Sequence, residues 1–161
     1  MAVYVENGRF VLSPSDLVGF LHCPHLTELT LATTHGYLPK STNEDPDLEV
    51  VQRRGLEHER LYLQRLEVEG HEVAQIDTET TFDFQVEATL ERIHSGPQVI
   101  YQAAFLNAVG DGPAWRGHAD FLQRVERSSQ LGDFSYEPED TKGTAQSLVV
   151  WVTCPPVWLP K

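Results

Sequence analysis

Two periods of hydrophobic recurrence run along this chain, and where one gives way to the other they predict an order of elements. Leu17, Phe20 and Leu21 follow helical spacing, with Ser13 or Ser15 able to cap and Asp16 in the first turn. Pro24 interrupts that pattern, Leu26, Leu29 and Leu31 resume it, and Gly36 is a stop. A helical opening over 11–38 is the expectation. Polar turn formers fill 39–47. Asp47 can cap a helix from about Leu48 to Glu69 that ends at Gly70. Leu48, Val51, Gly55, His58, Tyr62 and Leu66 share its apolar stripe, opposite Glu49, Arg53, Glu57, Arg60 and Gln64.

The pattern then changes. His71–Ile76 reads as a short strand, and 84–95 as an amphipathic helix through Val86, Leu90 and Ile93, ended by Gly96 and Pro97. Val99, Tyr101, Ala103 and Phe105 alternate as a strand. Gly110 to Pro113 is a turn, Trp115 to Val125 alternates again, and 126–133 is a polar connection. Phe134 to Lys142 reads as a strand weakened by Pro138. Helices followed by three strands imply a mixed α/β (α+β) domain with a central sheet.

Composition narrows the classes. A chain of 161 residues fits one domain, and 40% hydrophobic content supports an ordinary core. No apolar run approaches the roughly 20 residues of a membrane helix. MAVYVENGRF lacks the basic start and apolar middle of a signal peptide. With two distant cysteines, Cys23 and Cys154, a reducing, cytoplasmic setting is expected. A net charge of −12 argues against nucleic-acid binding through bulk electrostatics. A nuclease with acidic metal ligands and local basic patches stays open. So does DNA contact through parts outside this chain, or a plain acidic soluble protein.

Candidate chemistry lies in the last strands. Asp120 and Asp140 are twenty residues apart; on adjacent antiparallel strands their carboxylates can meet at one end of the hairpin. Asp140 and Lys142, two apart, point to one face. Two carboxylates suit Mg²⁺ or Mn²⁺. Such an ion acidifies a bound water, and a lysine can place that water or counter the phosphorane charge. A short D-x-K match alone also fits a solvated strand face. His58, on the inward stripe, is either a boundary residue or a further metal ligand. Gly55, one turn earlier, suggests close approach of the helix to the sheet. Cys23 reads as a buried structural thiol, with His22 and His25 as surface neighbours and no closed zinc set. His118 shares a strand face with Arg116 and Asp120 and reads as a surface histidine or a minor substrate contact.

Three stretches, taken in order, resemble a known family. They are Leu12 to Leu29 (LSPSDLVGFLHCPHLTEL); Arg54 to Leu63 (RGLEHERLYL) leading to Gly70-His-Glu-Val73; and Trp115 to Val125 (WRGHADFLQRV) ending in Tyr136 to Lys142 (YEPEDTK). The set resembles the RecB-like nucleases of the PD-(D/E)XK superfamily, related to CRISPR-associated RecB-type exonucleases. The resemblance covers roughly 12–142. It implies a restriction-endonuclease-like core with N-terminal helices and a central mixed sheet. It implies His58, Asp120 and Asp140 as metal ligands, Asp120, Asp140 and Lys142 as catalytic residues, Mg²⁺ or Mn²⁺ as cofactor, and DNA as substrate. A helicase domain or subunit is an implied partner, and DNA repair the implied setting.

The family continues past the lysine with a helix carrying Gln and Tyr; here Gln146 lies close to Lys142 and Leu148–Val152 favours a strand. Some relatives hold an iron–sulfur cluster, and Cys23 matches its N-terminal ligand, but such a cluster takes four thiolates, so none is expected. The resulting expectation is an N-terminal helical segment (1–46), a partial nuclease core (47–142) and a divergent tail (143–161), a truncated copy with a frame-shifted end. The alternatives are a non-catalytic fragment and an acidic α/β interaction domain.

Overall fold

The computed structural model describes residues 4–6, 8–39, 46–108 and 110–139. The expectations on Asp140, Lys142 and 143–161 lie outside them. Among the described residues the fold is mixed α/β, with four helices and a mixed six-stranded sheet. The strands are β1 (Tyr4–Glu6), β2 (Arg9–Leu12), β3 (Val73–Gln75), β4 (Val99–Asn107), β5 (Ala114–Val125) and β6 (Ser135–Glu139). The helices are α1 (Pro14–His22), α2 (Pro24–Thr34), α3 (Pro46–Val68) and α4 (Phe82–Ser95). The sheet order is β1-β2-β5-β4-β3, with β6 on β5.

Two compact units divide the chain, 1–44 with 105–117, and 45–104 with 118–161. In the first, β1 and β2 form an antiparallel hairpin, and β2 runs parallel to the start of β5 through Val11↔Ala114 and Leu12↔Trp115. This hairpin corrects the reading of a helical opening from residue 11. Its signal was the Asn7-Gly8 dipeptide between two short β-prone runs, and Gly8 holds φ +76°. The helical part divides where Pro24 predicted. Asp16 closes a capping box, accepting bonds from the Ser13 N–H (2.8 Å) and hydroxyl (2.6 Å). Cys23 joins the two helices and is exposed, which corrects its assignment to the core.

The second unit holds the larger core. β3 runs parallel to β4 (Val73↔Val99 to Gln75↔Tyr101), and β5 pairs antiparallel with β6 (Phe121↔Glu139 to Val125↔Ser135). Pro138 stands in β6, a strand paired only with β5 among the described residues, where a missing N–H is tolerated. Phe121, Val99 and Leu66 form the buried centre, with Tyr62, Leu63, Val73 and Tyr101 packed around them. α3 thus covers the face of β5 that bears Phe121. α4 reaches the alternate face, where the His118 ring lies 2.9 Å from the Gln85 amide oxygen and edge-on to Phe82.

Candidate functional site

α3 meets the sheet through Glu59, Tyr62, Leu63 and Leu66. Counted back from Leu66 at about 100° per residue, position 59 returns to within about 20° of the same direction, whereas position 58 is about 80° away. His58 is accordingly exposed and Glu59 is 8% exposed; Tyr62 and Leu66 of the expected stripe face inward, and Glu59 takes the place expected of His58. Val51 and Leu56, at 65% and 67% exposure, show that only the later half of the helix is packed within this unit. A Cβ added at Gly55 would meet nothing within 4 Å, so close approach to the sheet does not account for that glycine.

Glu59 is held by β4. The Gln102 amide donates to its carboxylate, and the Tyr101 phenol lies close enough to feel its charge. Two successive residues of a regular strand point to opposite faces and cannot both reach one helix. Gln102 breaks the alternation, with φ +59°, the one non-glycine residue with positive φ among those described. Val99 and Ile100, then Ala103 and Ala104, are buried as pairs, so both faces of β4 are covered. A left-handed residue in mid-strand turns the chain and re-aims the side chains about it. Past Gln102, the Ala104 N–H goes to the fully buried Thr89 hydroxyl of α4 (2.9 Å), which itself donates to the Gln85 carbonyl (2.8 Å).

Asp120 is half-buried on β5, and its charge acts on Tyr101. Burial first, then the Glu59 hydrogen bond and the two carboxylate charges, push the Tyr101 phenol up to about 12. By strand alternation Asp120 shares the His118 side of β5, opposite Phe121. His118 is exposed, bound to Gln85, and Arg116 lies over the Tyr4 ring at 5.1 Å. On the Phe121 face of the β5–β6 ladder, the Tyr62 hydroxyl donates to Glu139 (2.9 Å) and receives the Gln123 amide (3.4 Å). Burial and the Glu139 carboxylate push Tyr62 up to about 12. These residues, with Arg65, Glu69 and His71, border an open depression of about 410 Å³.

Of the four residues singled out by sequence, His58 and Asp120 are described, His58 exposed on α3 and Asp120 half-buried on β5. Among the described residues no three His, Cys, Asp or Glu side chains gather closely enough to hold a metal ion. Glu59, Tyr101 and Gln102 were missed. Glu59 was legible from its two-turn spacing to Leu66; the left-handed Gln102 has no sequence signal, since glutamine is not a residue that favours positive φ. Comparison with protein-family models, with curated proteins and with solved structures finds no match to this chain.

Proposed function

We propose that this chain carries the site of a metal-dependent DNA nuclease of the RecB-like type, in a restriction-endonuclease-like core, with Asp120, Asp140 and Lys142 as its reacting groups. The observation that supports this most is the β5–β6 hairpin. Its antiparallel register pairs Phe121 with Glu139, one residue from Asp120 on one strand and from Asp140 on the other. That is the neighbourhood the two-carboxylate reading requires. The acidic and phenolic groups of this part of the sheet are hard oxygen donors, which suits Mg²⁺ or Mn²⁺ and not a soft metal.

The ion would be held by Asp120 and Asp140, with His58 the further ligand implied by the family resemblance. When bound it supplies a water acidified toward neutral pH and a counter-charge for the phosphate. Lys142, two residues from Asp140, orients the attacking water and offsets charge on the scissile phosphate. Asp120 is half-buried, which leaves it reachable while strengthening its field. A chain with net charge −12 makes a poor DNA-binding surface by itself. The partner that the family resemblance implies, a helicase domain or subunit in a DNA-repair setting, would supply the duplex contacts.

A calorimetric titration with Mn²⁺ tests the reading. Wild type is expected to bind, and Asp120→Ala to lose most of the affinity. An absence of binding, or equal binding by both proteins, would replace the nuclease reading with that of an acidic interaction domain.

A further inference from the structure

Gln85 of α4 is 5% exposed, and its amide nitrogen donates to the Thr80 carbonyl (2.8 Å) and to the Thr78 carbonyl (3.2 Å). Two backbone acceptors fix which end of the amide is nitrogen, since a reversed amide would set its oxygen against both. The amide oxygen is therefore the end that meets the His118 Nε2, at 2.9 Å. A carbonyl oxygen only accepts, so His118 Nε2 carries a proton. In the neutral ring the lone pair then lies on Nδ1. The Phe82 ring stands perpendicular to the same imidazole, 5.3 Å between centroids. His118 is thus an exposed imidazole that α4 holds in one tautomer. A ring N–H given to a fixed carbonyl is the outer support that metal-ligating histidines carry.

Asp120 follows two residues later on β5. Two residues of strand advance the chain by about 7 Å and return to the same face. An imidazole and a carboxylate so spaced can close on one ion. Helix α3 covers the opposite face, the one that bears Phe121, and His58 is exposed on that helix.

We propose that His118 and Asp120 form a two-point chelate for a divalent transition-metal ion, with Gln85 as the positioning residue of the imidazole. In taking Asp120 as a metal ligand this rests on the nuclease reading above; the imidazole it assigns is His118 and not His58. A set of nitrogen and oxygen binds Co²⁺ more tightly than Mn²⁺. Mg²⁺, which keeps to oxygen ligands and water, binds least. Two protein ligands leave the other positions of the ion to water or substrate, as an open site requires.

The test uses the full chain, with calorimetry of Co²⁺, Mn²⁺ and Mg²⁺, pulsed EPR of bound Mn²⁺ and ¹⁵N NMR of the His118 ring. Wild type is expected to bind the three ions in that order of affinity, to show an imidazole nitrogen coupled to Mn²⁺, and without metal to carry the ring proton on Nε2. His118→Ala loses the nitrogen coupling and weakens Mn²⁺ binding at least about tenfold. Gln85→Leu mixes the two tautomers and weakens Mn²⁺ binding about tenfold, as loss of an outer-shell partner does. A glutamine that only fastened the Thr78–Thr80 loop would leave the tautomer unchanged. Nitrogen coupling that persists in His118→Ala, or a wild-type ring protonated on Nδ1, overturns the chelate. So does Mn²⁺ binding that falls in Asp120→Ala but not in His118→Ala, and the nuclease reading then stands without it. If wild type binds no Mn²⁺, or Asp120→Ala binds it like wild type, both fall. Metal held through both residues with no cleavage of DNA supports the chelate and removes only the nuclease chemistry.

Discussion

Thr89 shows how much one hydroxyl can carry. It is fully buried, accepts a hydrogen bond from the Ala104 N–H, and donates one to the Gln85 carbonyl. Thr89→Val keeps the shape and removes the acceptor. A buried N–H left without a partner costs about 1–3 kcal/mol, and urea unfolding should show a loss of that size. Tyr62 and Tyr101 make a second prediction at this scale. Both phenols are pushed up to about 12 from a usual value of 10, by burial first and then by their carboxylate partners. The folded state therefore holds these protons more tightly than the unfolded chain does. Their contribution is complete below pH 10 and is lost as pH rises through about 12. Unfolding followed across that window should show alkaline destabilisation, with a shallower slope in Tyr62→Phe. The chemistry of single residues was only partly legible in advance. Asp120 could be picked out from its strand context, whereas Glu59 was hidden by its neighbour: His58 and Glu59 differ by one step, and a stripe read over several turns does not resolve one step.

Helix α3 carries the argument at the scale of an element. Its existence and ends were legible because apolar spacing, the preceding turn formers and Gly70 all agree, and the structure places it at Pro46–Val68. Its function within the fold is less uniform than the stripe implied. Leu66 is buried in the main cluster, while Leu56 is 67% exposed. Leu66→Ala should cost about 2–5 kcal/mol, and Leu56→Ala should stay within about 0.5 kcal/mol of wild type. Gly55 sharpens the contrast. With nothing within 4 Å of an added Cβ, Gly55→Ala should raise stability by roughly 0.5–1 kcal/mol, the helix-propensity difference. If the alanine destabilises instead, a partner covers that face of α3. The β1–β2 hairpin was missed for the opposite reason. Its strands are too short for periodicity to register, and only the Asn-Gly signal marked it.

For the molecule as a whole, the class of fold followed from the order of elements: helices, then three strands closing on one another, with β5 and β6 antiparallel. No helix among the described residues is long and apolar enough to cross a membrane. What element order cannot give is the phase of each side chain about its axis, and the site depends on that phase. The left-handed Gln102 and the inward placing of Glu59 instead of His58 both follow from packing between distant segments, which no local pattern records. The central claim, phosphodiester hydrolysis at Asp120, is tested most directly by cleavage of labelled single- and double-stranded DNA with Mg²⁺ or Mn²⁺. The expected result is metal-dependent cleavage by wild type that falls by at least about a hundredfold in Asp120→Ala and Lys142→Ala, the scale of losing an electrostatic catalytic group. Cleavage that persists in both variants, or that is absent from wild type with either metal, would contradict it.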